Sequence, residues 1–193
     1  MKAGKPRFSI QPQGAGIAIA CPAPRDVALL LIVSVWVAFW TYGGLSAFRQ
    51  LFDPQQEERA FLAFWLMGWA VGEAFAIATL VWQLAGREEI VVSGGSLKHR
   101  VSMAGLGRTR EYALAQVRNV RTESLPKTPR GRQTPGMLPL FGLRSGTIAF
   151  DHGARTHRIG LTLDEAESAL VIAEISRRFP RFPVAPAAAR QVE

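Results

Sequence analysis

The 193-residue chain has one cysteine, three histidines and only 20% charged residues. A single Cys21 excludes an intrachain disulfide framework and any multi-cysteine zinc site. Three histidines spread over His99, His152 and His157 are too few for a zinc site at these spacings. The low charge, with 48% apolar residues, excludes a disordered chain, which would be poorer in apolar side chains and richer in charge. Phosphate-cradling glycine loops ahead of a helix are also missing, since Gly105-Leu106-Gly107 reads as a hairpin turn. No Ser/His/Asp or Cys/His grouping has supporting context, so a binding protein is expected rather than an enzyme, with no cofactor and no metal.

What is present is strongly segregated. All five tryptophans fall between Trp36 and Trp82. Val27 to Phe48 is a run of 22 residues without a charge. At 1.5 Å per residue such a helix is about 33 Å long, enough for a hydrocarbon core of about 30 Å. Ala60 to Ala85 is a second run, of 26 residues, in which only Glu73 is ionisable. Neither run has the polar face of a helix in a soluble bundle, so two transmembrane helices, 27–48 and 60–85, are expected. The first begins too late and is too long to be the core of a cleaved signal peptide. Cys21 is not read as a lipoprotein cysteine, because the apolar stretch before it is short.

Charge orients this hairpin. Residues 1–26 carry a net +3, the link 49–59 a net −1, and residues 87–193 a net +7. Positive flanks stay on the cytoplasmic side, so both termini are expected inside and the link outside, in the periplasm.

The remainder reads mainly as strands. Arg7–Gln11 and Gly16–Ala20 around Pro12-Gln13-Gly14 suggest an N-terminal β-hairpin, too small to fold alone, that packs on the C-terminal domain or at the bilayer surface. Further strands are expected at Glu89–Ser93, Ser96–Met103, Arg108–Leu114, Val117–Glu123, Gly146–Asp151 and Arg155–Leu161. They suggest an antiparallel β-sandwich or barrel over 86–180. Thr162-Leu163-Asp164-Glu165 reads as a capping box for a C-terminal α-helix with an apolar stripe of Leu163, Ala166, Leu170 and Ala173, widened by Ile172, Ile175 and Phe179. The segment 124–142 holds four Pro and three Gly and is expected to be a mobile loop; the tail 181–193 is expected to be loose.

The order of hairpin, two spans, short strands and one capped helix resembles the bacterial membrane-anchored proteins with a pleckstrin-homology-like (bPH-type) domain. The residues carrying the likeness are Trp82 to Glu88, Tyr112 to Arg118, Ile148 to Asp151 and Leu163 to Ala166. The resemblance implies a bent antiparallel sheet capped by a helix and a place in the bacterial inner membrane, without implying an activity. Glu73 departs from it, since a small or apolar residue is expected there.

Three sets of residues are candidates for contact. Glu73 sits near mid-span, where an ionised carboxylate costs about 2.5–3.5 kcal/mol on insertion scales. It is expected to be neutral or bonded to a polar group such as Ser34, Thr41, Tyr42 or Thr79. The readings are an interhelical hydrogen bond, helix–helix assembly beside the Gly68-xxx-Gly72 motif, or an ion or proton relay. Lys98, Arg100, Arg108, Arg110, Arg118 and Arg121 form a basic set suited to anionic lipid or a partner, and Lys127, Arg130 and Arg132 offer similar contacts from the 124–142 loop. Nucleic acid is not expected, because this region lacks a recognition helix or an aromatic platform. His99 and His157 are expected to be satisfied residues at the apolar face of the sheet. The expected partners are membrane lipids and other integral membrane proteins, or a second copy, with no small-molecule substrate. An accessory or scaffold subunit of a larger membrane complex is the leading reading.

Overall fold

The structure is a computed structural model that describes residues 8–53, 57–123 and 146–185. The chain forms two compact units: Arg25–Leu84, and a second unit drawn from the chain before and after it.

Two helices make the first unit. The Asp26 carboxylate caps α1 (Val27–Gln50) by accepting from the Leu29 N–H at 3.1 Å. After the link comes α2 (Arg59–Ala85). The Asp26 amide donates to the Gln83 side chain at 3.0 Å and Trp40 stacks on Trp69, so the helices run antiparallel. Both are long and apolar enough to cross a membrane. Leu31, Ile32, Val35, Phe39, Phe61, Phe64, Met67 and Val71 are each more than half exposed.

The second unit begins with β1 (Ser9–Gln13) and β2 (Gly16–Pro22) and resumes after α2. It continues with β3 (Gly86–Ser93), β4 (Ser96–Met103) and β5 (Leu106–Ala113), then a 3₁₀ turn at Leu114–Gln116. Next come β6 (Val117–Thr122), β7 (Ile148–His152), β8 (Arg155–Ile159) and α3 (Glu165–Arg178). Pro12 lies inside β1 and not in the turn, and β1 is an edge strand, where a missing N–H is tolerated. Gly94 and Gly95 both take positive φ, which lets two residues reverse the chain between β3 and β4.

The strands form two antiparallel sheets, β1-β2-β3-β4-β5 and β6-β7-β8. Among the described residues no ladder joins them, so the sandwich alternative fits and a closed barrel does not. The N-terminal hairpin is part of the larger sheet: β2 pairs with β3 from Ile17↔Val92 to Pro22↔Arg87. One core holds both sheets and α3, with Ile19, Ile90, Leu97, Val117, Phe150 and Val171 fully or almost fully buried.

Two sequence expectations for α3 are corrected. The cap is Asp164, whose carboxylate accepts from the Glu167 N–H at 2.8 Å while the Glu167 carboxylate accepts from the Asp164 N–H at 3.1 Å. Thr162 and Glu165 read as a box because the same residue types recur two positions earlier. The core-facing side is Glu167, Ser168, Val171, Ile172 and Ile175; of the expected stripe Leu163, Ile172 and Ile175 are buried, whereas Ala166, Leu170 and Ala173 are exposed. Val171, Ile172 and Ile175 bury more apolar area than Ala166 and Ala173 could.

Asp164→Ala should therefore lower stability by about 1 kcal/mol. Chemical denaturation of the full chain in detergent tests this, and Asp164→Ala combined with Glu167→Ala should lose less than the sum of the singles, since the two caps act as one unit.

Candidate functional site

Several polar side chains of the helical unit bond within it. Trp40 and Trp69 stack with ring centroids 3.9 Å apart, and each indole N–H donates to the other residue's carbonyl, at 3.3 and 3.2 Å. Trp36 and Trp65 extend the stack at 4.3 and 4.5 Å. Gly43 and Gly44 make room for it: a Cβ on Gly44 would come within 2.8 Å of Trp69 Nε1. Sequence reading placed the close approach at Gly68 and Gly72. The structure puts Gly72 at ordinary contact distance from Trp40 and leaves open space around Gly68. The Thr41 hydroxyl donates to Glu73 Oε1. Of the other suggested partners, Thr79 bonds to the Phe75 carbonyl and Tyr42 is 73% exposed.

The basic set divides by strand alternation. Register pairs Val101 with Arg108 and His99 with Arg110, so these two arginines leave the sheet on the side that carries its core residues. Lys98 and Arg100 leave from the opposite side, where Lys98 Nζ lies 3.4 Å from Glu111. Arg118 and Arg121 belong to the smaller sheet, separated by a register shift at which Asn119 takes φ 55°. Arg121 contacts Asp151 at 3.4 Å. The Asn119 amide and the Thr156 hydroxyl, followed by Arg121, hold the Asp151 carboxyl below its usual range. Among the described residues Arg100, Arg108, Arg110 and Arg118 make no ion pair. Lys127, Arg130 and Arg132 lie outside the described residues.

Sequence reasoning missed the most buried ionisable group. Glu88 is 0% exposed. Its Oε1 lies 2.7 Å from His99 Nε2 and accepts from the Gly160 N–H at 2.7 Å. Its Oε2 accepts from the N–H and hydroxyl of Thr162, at 3.2 and 3.4 Å. The carboxylate thus clamps β3 and β4 of one sheet to the turn between β8 and α3. Within Arg87-Glu88-Glu89 the signal was parity alone, since Glu88 alternates with Gly86, Ile90 and Val92.

Cys21 sits directly opposite Glu88 in the β2–β3 register and is buried. Burial, then the charges of Glu88 and Glu167, push its thiol far above the usual range. A protonated thiol is a poor nucleophile, so this Cys-Glu-His neighbourhood fits packing and not covalent catalysis. Among the described residues no group of three or more His, Cys, Asp or Glu could hold a metal ion. The chain matches no family model, and a search of curated proteins finds no relative.

Glu88→Ala should orphan two buried backbone donors and destabilise the fold by at least about 2 kcal/mol, with Glu88→Gln losing less because an acceptor oxygen remains. Denaturation of the full chain measures both. Iodoacetamide at pH 8 should leave native Cys21 unmodified, alkylate it in denaturant, and reach it faster in the Glu88→Ala variant.

Proposed function

We propose that this chain is an integral membrane scaffold of the bacterial inner membrane, anchored by α1 and α2, with both termini and a PH-like domain in the cytoplasm. On this reading it is an accessory or assembly subunit that docks on a larger membrane complex and catalyses no reaction. The observation that carries the reading is the helical unit. Glu73, Thr41 and the indoles of Trp40 and Trp69 are bonded between the helices, while large apolar side chains cover the outside. A hydrocarbon solvent favours that arrangement, because unsatisfied polar groups cost most there. The β2–β3 pairing supports the topology. The Ala23 N–H donates to the Gly86 carbonyl at 3.0 Å, so the chain leaves and rejoins the β unit at one place. Two crossings that return to one place put both flanks on one side, and the net +3 and +7 flanks favour the cytoplasm. The open space at Gly68 offers a partner helix close approach. Thr41 on Glu73 favours a structural carboxyl over a relay, and two helices alone build no ion path.

A second reading, recognition of anionic lipid by the same domain, is favoured by the β4–β5 hairpin. Gly86, the first residue of β3, pairs with Met103 at the start of this turn. The turn carries Leu106, 82% exposed, and is flanked by exposed Arg100 and Arg108. An apolar tip with basic flanks suits a headgroup layer.

The chain should stay in membranes through an alkaline wash, and a reporter on its C-terminus should be found inside. Gentle detergent extraction should recover companion proteins. Gly68→Leu should release them without loosening the hairpin, because the added side chain meets open space. A clean monomer with no companions, or a chain soluble without detergent, would overturn the scaffold reading. The lipid reading expects the β4–β5 amides to be protected from exchange in anionic but not zwitterionic nanodiscs, with protection lost in high salt.

A further inference from the structure

The rings of Tyr112 on β5, His152 on β7 and His157 on β8 meet between the two sheets, and Arg110 and Arg155 leave their strands on the same faces. Leu97 pairs with Tyr112 and His99 with Arg110, so Tyr112 and Arg110 project from the core side of the larger sheet. In the smaller sheet Phe150 pairs with His157 and His152 with Arg155, and Phe150 is fully buried, so His152, His157 and Arg155 project from its core side. The rings are in mutual reach. Tyr112 lies 4.9 Å from His157 and 5.4 Å from His152 between centroids, and the two imidazoles are 6.0 Å apart. Tyr112 is buried and Phe150 backs it at 5.0 Å, giving a rigid floor. Above that floor His152 and His157 are half-buried, and Arg110 and Arg155 are exposed.

Among the described residues no ion pair joins Arg110 or Arg155 to a carboxylate, and Glu88, which reaches His99 on the same face of the larger sheet, is taken up by Gly160 and Thr162. The two nearest carboxylates by sequence, Glu111 and Asp151, leave their strands on the opposite sides, as period-two alternation requires. Both are engaged there, Glu111 with Lys98 and Asp151 with Asn119, Thr156 and Arg121. The effect registers on His157: burial first, then His152, Arg110 and Arg155, hold its imidazole below the usual range. Cationic and cation-capable groups held together without an acid destabilise one another, and a bound anion removes that repulsion. Two guanidinium forks and two imidazole N–H donors from three strands suit several acceptor oxygens on one centre, which a tetrahedral phosphate supplies.

We propose that Arg110, Arg155, His152 and His157, arranged over the Tyr112 ring, form a binding site for a phosphate-bearing anion, either free or as a lipid headgroup. The site belongs wholly to the β unit and does not depend on the helices crossing a bilayer. Protonation of His157 strengthens it, so affinity falls as pH rises through the range of that imidazole, which lies below the usual one.

The test uses the full chain in a zwitterionic detergent, with histidine ring signals followed by NMR from pH 5 to 8. Inorganic phosphate should raise the titration midpoint of His157, whereas chloride at equal ionic strength should not. Arg110→Ala and Arg155→Ala should each weaken the phosphate response about tenfold, as expected for loss of a charge-assisted hydrogen bond, while the melting temperature holds because both side chains are exposed. In nanodiscs, a His157 shift with phosphatidic acid but not with inorganic phosphate would assign the anion to lipid; the reverse would assign it to a soluble phosphate. No shift with either, an equal shift with chloride, or an unchanged response in both arginine variants would overturn the proposal. These outcomes do not depend on whether companions co-purify, so the scaffold reading and this site can fail separately.

Discussion

The pairing of β2 with β3 is the constraint on which the rest of the structure depends. Between these adjacent antiparallel strands the chain inserts both long helices, where a hairpin turn would ordinarily stand. Closing so long an insertion is entropically unfavourable, although the cost grows only logarithmically with length. Six register pairs offset it, and the hairpin contributes bonds at its own open end. There Asp26 donates to Gln83 and the Arg25 guanidinium to the Leu84 carbonyl. The helices must therefore start and finish side by side. An even number of long helices follows from this geometry, as does the antiparallel stack of Trp40 on Trp69.

A second constraint is the satisfaction of carboxylates away from bulk water. Glu88 and Glu73 solve it differently. Glu88 gathers four donors or ring contacts from two segments, β4 and the turn before α3, and so ties the larger sheet to that turn. Glu73 takes a hydroxyl from the neighbouring helix. In each case the acid is used within its own unit, which makes it a determinant of fold uniqueness rather than a free group for chemistry. Thr147 works in the same way, with its hydroxyl 2.6 Å from that of Ser168 and near the carbonyls of Gly160 and Leu163.

Local features were legible in the sequence and non-local ones were not. The two apolar runs correspond to α1 and α2, extended by a few residues at their ends, because length and composition alone define such helices. Alternation in Ser96–Met103 gave β4 with its correct faces, including buried His99. The N-terminal hairpin was recognised, but its union with β3 was hidden by the intervening helices. Gly68-xxx-Gly72 was conspicuous as a motif, while Gly43 and Gly44 were not, because close approach depends on where Trp69 points. The apolar stripe of α3 was right at Leu163, Ile172 and Ile175 and wrong at Ala166, Leu170 and Ala173, because apolar residues at helical spacing occur on both sides of the true core row. Glu88 was obscured by its charged neighbours. The basic residues were visible individually, but their division between faces and sheets needed the register.

That division decides what the positive charge can do. Arg108, Arg110 and Arg155 stand on β5 and β8, which are edge strands of their sheets. Cations on edges oppose strand-to-strand aggregation, and this alone accounts for a charge at such positions. Edge protection is indifferent to face, however, and would be served equally by mixed signs. Here Glu111 and Asp151 are turned outward to Lys98 and Arg121, whereas the cations beside them face inward over a buried tyrosine, with two histidines between them. The same alternation that buries Tyr112 and Phe150 turns Glu111 and Asp151 outward and leaves Arg110 and Arg155 on the face that carries the two histidines. Solubility and edge protection account for the charges; the proposed anion site accounts for Arg110 and Arg155 sharing a face with the two histidines.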